Sequence, residues 1–203
     1  AINNYSMNFD GVNDYVGPLT NPGGYGVNIS VASWVKKTSN AGPSYNDEIL
    51  SGGPWDFYFG VNPSGKIWFG KQSIGGSHVV GSTNINDGNW HFVSSTYDGN
   101  TITIYVDGQI DGTGSQIWAP TISSNLYIGS SVDQSGNIIE NYNGLLNDVS
   151  LWNITLSQSE IQQYMNCSPV NNESGLVDFW NFEEGPGSTV VLGQNGNNGI
   201  ING

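Results

Sequence analysis

Arginine is absent from this chain of 203 residues, and four lysines (Lys36, Lys37, Lys66, Lys71) face 17 acidic residues, for a net charge of -13. That balance opposes binding to nucleic acid, whose affinity comes largely from Lys and Arg contacts to phosphate. It opposes anionic membrane surfaces for the same reason. Cys167 is the only cysteine, so no internal disulfide forms. Its thiol is either buried or paired with a cysteine elsewhere, the second case pointing to an oxidising compartment. No apolar run approaches the ~20 residues that span a bilayer, which argues against membrane insertion. A start at Ala1 reads as a fragment of a longer protein, with any signal peptide outside it.

What is present is apolar alternation. Hydrophobic residues at 36% and aromatics at 12% are too many for a disordered segment. The 29 glycines follow no triplet period, which excludes collagen. In YSMNF, Tyr5, Met7 and Phe9 share one face. In WDFYFGV, Trp55, Phe57, Phe59 and Val61 alternate with Asp56, Tyr58 and Gly60. In GKIWFG, Ile67 and Phe69 oppose Lys66 and Trp68. TITIYVD places Ile102, Ile104 and Val106 inward. Further strands are expected at 29–36, 48–50, 78–81, 90–97, 126–129, 145–152 and 176–182. Asp-Gly and Asn-Gly pairs at 10–11, 87–88, 98–99, 107–108, 111–112 and 143–144 read as turns, and WHFVSSTYDGNTITIYVDG as a hairpin about Asp98-Gly99-Asn100.

One short helix is expected near 157–165. Ser157 and Glu160 form a capping box, Leu156 and Ile161 a staple, and Ser168-Pro169 follows its end. So many half-buried strands with one helix predict an all-β fold of two stacked antiparallel sheets, in a single domain over 1–203. The stretch 168–203 reads as one more strand and a Gly/Asn-rich tail, either completing a sheet or opening a neighbouring repeat.

The stretches MNFDGVNDYV, ISVASWVKK, EILSGG, NINDGNWHFVSSTYDGNTITIYVDG, NLYIGS and YNGLLNDVSLWNITLSQSEIQQYM resemble, in that order, the bacterial laminin G-like jelly-roll domain of the concanavalin A-like superfamily. The resemblance covers roughly residues 5–165. It implies a jelly-roll sandwich in a secreted, extracellular or cell-surface protein, as one module among the neighbouring domains of a larger bacterial chain. It also implies glycan or cell-surface protein recognition, although this fold hosts many activities.

FDGVNDYV carries two carboxylates after the first strand. Calcium takes six to eight oxygens, more than this corner supplies. The resemblance implies a structural calcium (Ca2+) between early and late segments, which makes Asp14 and Asp148 the preferred ligands, with Asn13 and Asn147 behind them. LNDV stands where the family usually has Ile-Asp-Glu-Val. On its own residues the stretch reads first as a hydrogen-bonded corner with its acidic residues facing water, and calcium is the second reading.

Sugar rings stack on aromatic planes while amides and carboxylates take their hydroxyls. Tyr58 and Trp68 are the first candidates, because each alternates onto the face away from the inter-sheet core. Trp55 and Trp118 follow. Trp34, Trp90 and Trp152 fall within family motifs and read as core. Catalysis is not expected. Glu183 and Glu184 are adjacent and point to opposite faces of a strand, His78 and His91 lack triad partners, and no Gly-x-Ser-x-Gly or phosphate loop is present. The chain therefore reads as a non-catalytic recognition module, with a spacer repeat or an enzyme's accessory domain as the alternatives.

Overall fold

The computed structural model describes residues 5–19, 27–42, 46–54, 56–71, 77–117 and 125–203. In chain order the strands are β1 (Met7–Asp10), β2 (Tyr15–Leu19), β3 (Ile29–Lys36), β4 (Asp47–Gly52), β5 (Phe57–Val61), β6 (Lys66–Lys71), β7 (Ser77–Asn84), β8 (Trp90–Tyr97), β9 (Thr101–Val106), β10 (Gln109–Ser115), β11 (Leu126–Ile128), β12 (Ser131–Val132), β13 (Ile138–Ile139), β14 (Asn143–Trp152), β15 (Leu176–Trp180), β16 (Val190–Val191) and β17 (Gly199–Asn202). Helix α1 spans Gln158–Asn166.

Two antiparallel sheets carry the fold. The first runs β1-β14-β3-β8-β9-β10, with β15 also on β14; the second runs β16-β17-β2-β11-β4-β5-β6-β7. Their facing sides form one core, in which Phe9, Val16, Leu50, Phe59, Ile67, Val93, Leu146 and Trp180 are buried. Ile102 and Ile104 are fully buried there, as their alternation predicts. Period-two patterning sends one side of each strand into this core, but the other side is not uniformly wet, since every residue of β4 and β5 is buried.

Turn chemistry fixes the long hairpins. Asp98 Oδ1 accepts from Asn100 N at 2.9 Å and Thr101 N at 2.7 Å, closing β8 onto β9. Asp107 and Gly108 both take positive φ, 50° and 72°, which the two-residue turn into β10 requires. Two of the expected turns are not turns. Asn143-Gly144 opens β14, and Asp111-Gly112 lies inside β10 at a register shift. There Asp111 serves the other sheet: its carboxylate accepts from Ser82 N at 2.8 Å and from the Thr83 hydroxyl at 2.6 Å, tying β10 to β7 and closing one side of the sandwich.

The tail is part of the body. β15 pairs Val149 with Trp180, and β17 pairs Ile201 with Val16, so residues 176–202 add strands to both sheets. Helix α1 begins with the expected capping box on Ser157 and Glu160 and lies on the outer face of the first sheet. Beneath it Ala32, Phe92, Tyr105, Trp152, Leu156 and Ile161 form a second, smaller core. Cys167, just past the helix, is exposed, so the buried-thiol reading does not hold.

Candidate functional site

The helix covers only part of that outer face. On β3 the residues turned outward are Ser30, Ala32, Trp34 and Lys36, since Ile29, Val31 and Val35 lie in the main core. Cross-strand register places Trp34 opposite Phe92 and Lys36 opposite Trp90 on β8, and Trp34 opposite Asn147 on β14. Beyond the last turn of α1 this row is uncovered. Trp34 is half-buried and backed by Phe92, ring centroids 5.4 Å apart, while Trp90 is 38% exposed. Together with Asn147, Asp148, Tyr164, Met165, Asn166 and Ser168 they line an open cleft of about 370 Å³.

A β-bulge supplies its polar side. Asn147 pairs with Trp34 but Ser150 pairs with Ala32, so β14 holds one residue more than β3 over this span. The strand's phase shifts accordingly: Leu146 is inward, and so are Val149 and Leu151. Asn147 and Asp148 thus both reach the cleft, which unbroken alternation forbids. Asp148 takes a φ of 52°, a conformation Asp tolerates better than most residues. The Ser168 hydroxyl donates to its Oδ2 at 2.8 Å, and its own N–H donates to Asn147 Oδ1 at 2.8 Å. Tyr164 is anchored by a ring contact of 4.7 Å to Trp152 and by its hydroxyl donating to Glu173. Burial and the Glu173 carboxylate push that phenol's pKa above its ordinary value. The cleft therefore has rigid aromatic walls and a positioned carboxylate, a combination suited to holding polyhydroxylated rings.

The residues expected from sequence lie elsewhere. Tyr58 and Trp68 turn away from the main core on the second sheet, as their alternation predicts, but they are not an open platform. They stack on each other at 5.8 Å and 16°, His78 meets the edge of Trp68 at 5.7 Å, and they are only 2% and 4% exposed. Each ring hides the other's face. Trp55 and Trp118 lie outside the described residues. Of the tryptophans read as core, Trp152 is buried, but Trp34 and Trp90 are cleft walls. The signal for them was available: the alternation that singled out Tyr58 and Trp68 also puts Trp34 on the face of Ala32 and Lys36.

The expected calcium set does not converge. Asp14 Oδ2 accepts from Asp10 N at 2.9 Å, and Asp10 Oδ1 accepts from Val12 N at 2.7 Å and Asn13 N at 3.3 Å, which makes FDGVNDYV a hydrogen-bonded corner. Asp10 pairs with Asn143, so this corner sits at one end of β14. Asp148 is five residues further along the strand, roughly 16 Å at the usual rise. Among the described residues no three His, Cys, Asp or Glu side chains are grouped to hold a metal.

A family model described as the concanavalin A-like lectin/glucanases superfamily, of laminin G type, matches residues 10–162. The chain belongs to that superfamily. This laminin G-like domain is 25% identical over 114 residues to a rat protein named Sushi, von Willebrand factor type A, EGF and pentraxin domain-containing protein 1; the match takes in 52% of the chain and 3% of the rat protein. Among solved structures it resembles a putative carbohydrate binding protein from Bacteroides ovatus (TM-score 0.78, 16% identity, 98% of this chain and 58% of that one). It also resembles the Ruminococcus gnavus IT-sialidase CBM40 bound to α2,3-sialyllactose (TM-score 0.59, 12% identity, 78% of this chain and 95% of that one). At these identities the likeness shows the shared sandwich. The strands β15 to β17 fall outside the family match.

Proposed function

We propose that this laminin G-like domain is a non-catalytic carbohydrate-recognition module, carried on a larger extracellular protein, and that its glycan docks in the cleft at the end of α1. The observation that carries this reading is the cleft itself: Trp34 and the exposed Trp90 stand beside a bulge that adds Asp148 to Asn147 on one wall. Aromatic faces take the C–H side of sugar rings, and the amides, carboxylate and Ser168 hydroxyl take their OH groups. The resemblance to a protein named a putative carbohydrate binding protein and to a carbohydrate-binding module supports the same reading. Among the described residues lining the cleft Asp148 is the single carboxylate, whereas glycoside hydrolysis uses a pair, about 5–5.5 Å apart in retaining enzymes. Among the described residues no helix is long and apolar enough to cross a membrane.

A glycan array followed by calorimetry on the best hit tests this. Trp90→Ala is expected to weaken binding at least tenfold and leave the melting temperature nearly unchanged, because the side chain is already 38% exposed. Full affinity in both Trp90→Ala and Asp148→Ala would place the ligand elsewhere. Silence across the array would favour a spacer repeat.

A further inference from the structure

We infer that His91 is a positioning residue for the cleft: as an imidazolium it clamps the turn that leads into Trp90 to the turn that seats α1, and the cleft loosens when the ring gives up its proton. Only the binding consequence rests on the carbohydrate reading of the cleft. Trp90 and His91 are neighbours on β8 and point to opposite faces, Trp90 into the cleft. His91 Nδ1 stands 2.8 Å from Asp107 Oδ2, and its Nε2 stands 3.2 Å from Asp87 Oδ1. Carboxylate oxygens only accept and a neutral imidazole has a single N–H, so both contacts are hydrogen bonds in the charged ring alone. In the neutral ring one lone pair faces a carboxylate oxygen, and that side of the clamp opens.

Each carboxylate belongs to a turn that bears on the cleft. Asp87 accepts from Asn89 N at 2.8 Å and from Asn89 Nδ2 at 2.9 Å, forming the bend that delivers the chain into Trp90. Asp107 Oδ1 accepts from Phe92 N at 2.9 Å. The carbonyl of its neighbour Gly108 accepts from Gln158 Nε2 at 2.9 Å and Gln162 Nε2 at 3.0 Å, which seats α1. The last turn of that helix brings Tyr164, Met165 and Asn166 to the cleft. His91 therefore joins the strand bearing one wall to the turn beneath the helix bearing the other. The charges that act on the ring are those of Asp107 and Asp87. On β3, Lys37 is taken by Asp47, while Lys36 stands opposite Trp90 in register. The α1 side chains against the Gly108 turn, Gln158, Gln162 and Met165, are uncharged. On β10 the Asp111 carboxylate is held by Ser82 and Thr83. Burial lowers the ring's pKa, but the two hydrogen bonds and two charges outweigh it and raise it above the ordinary 6.5. The clamp is thus closed below that value and opens as pH rises through the folded one.

The test reads Trp90 directly, with no sugar present. Its indole N–H resonance, identified by its loss in Trp90→Phe, is followed by nitrogen relaxation from about pH 5.5 to about pH 9, beside the His91 ring resonances. The indole should become mobile with the midpoint of the His91 titration. It should be mobile throughout in His91→Gln and rigid throughout in His91→Arg, which keeps a charge and paired donors at every pH. Cys167→Ser, next to the cleft, should leave the curve unchanged. A glycan array read at about pH 6 and about pH 8.5 should lose about threefold or more of its signal at the higher pH, and His91→Arg should remove that difference. A Trp90 indole equally rigid on both sides of the His91 titration overturns the clamp, and that comparison needs only the unmodified chain. An indole that loosens while array signals hold keeps the clamp and takes the glycan out of this cleft. An array silent at both pH values rejects the carbohydrate reading, and the relaxation curve still decides the clamp.

Discussion

Lys37 follows Val35 by two residues at the end of β3 and therefore turns inward, while its neighbour Lys36 turns to solvent. A lysine in that position needs partners. Its Nζ donates to Asp47 Oδ2 at 2.6 Å and to the Asn143 carbonyl at 2.6 Å, and it stands 4.2 Å from the centre of the Tyr142 ring. Burial lowers its pKa, and the Asp47 charge and hydrogen bond work against that. Asp47 in turn accepts from Ala41 N at 3.0 Å and Asn143 N at 3.1 Å, so one ion pair gathers β3, β4 and β14. We predict that Lys37→Met, which leaves the Asp47 carboxylate buried and unpaired, costs about 3–5 kcal/mol, read as a shift in the urea midpoint at unchanged slope. Lys36→Met should change it by less than about 0.5 kcal/mol. The distinction was legible in phase alone, because a period of two sends the second lysine of ISVASWVKK inward. The partner was not legible: Asp47 is brought to it by sheet stacking, and nothing local in the sequence encodes that approach.

At the scale of elements, the same contrast separates the helix from the tail. The α1 capping box is local, so its sequence signature predicts it, and the Ser157 backbone N–H duly donates to Glu160 Oε2 at 2.7 Å. Removing the cap with Ser157→Ala should cost about 1 kcal/mol. It should also weaken glycan binding, since the last turn of the helix forms one wall of the cleft. The Gly/Asn-rich tail, by contrast, looked like low complexity, yet it is organised about one buried carboxylate. Asp178 Oδ1 accepts from Phe179 N at 2.7 Å and Asn195 N at 2.9 Å, and its Oδ2 accepts from Asn197 N at 2.9 Å and Asn197 Nδ2 at 2.5 Å. Trp180 Nε1 then donates to the Asn197 carbonyl at 2.7 Å. Composition carries no trace of such a network, because its hub lies some 17 residues upstream of the loop it orders. Asp178→Ala leaves several buried N–H groups unsatisfied and should cost about 3 kcal/mol or more. Hydrogen exchange should show protection lost at Asn195 and Asn197 before β8 and β9. The bulge at Asp148 escaped sequence reading for a related reason. An inserted residue is recognisable only when both partner strands are known, so the cleft's carboxylate could be guessed as a residue but not placed.

For the molecule as a whole, the abundant negative charge combines with a few misplaced protons to set the pH of greatest stability. Glu48 is fully buried and neither of its carboxyl oxygens is hydrogen-bonded. Burial first, then the charges of Glu140 and Asp47, raise its pKa well above the ordinary value, against the Trp68 indole N–H, which faces it without closing a hydrogen bond. Burial also raises Glu140, despite hydrogen bonds from Ser131 and Asn46. A carboxyl raised in the folded state binds its proton there while the unfolded chain has already lost it. Stability from this source is therefore intact below the unfolded pKa of about 4.3 and falls as pH climbs towards the folded value. His91 adds to the trend. Burial lowers its pKa, but hydrogen bonds at 2.8 Å to Asp107 and 3.2 Å to Asp87 raise it overall, so its contribution is complete below about 6.5 and is lost as pH rises through the folded value. The opposite group consists of Asp87, held at about 2 by the Asn89 backbone and side chain, with Asp98, Asp133 and Glu160 also lowered by hydrogen bonds. Those carboxylates stabilise the fold above about pH 4 and cease to do so as they protonate. Relief of self-repulsion on mild acidification, from a net charge of -13, acts in the same sense as the raised groups. The sum places the maximum between about pH 4.5 and 6, with a steady decline towards pH 8. Urea unfolding at constant ionic strength across that range should show it, and Glu48→Gln should raise stability near pH 8, flatten the decline and change little near pH 4.5. A maximum at neutral or alkaline pH, with Glu48→Gln destabilising throughout, would mean that the Glu48 carboxyl is charged and paired in the folded protein, and the interior of the second sheet would need a different electrostatic account.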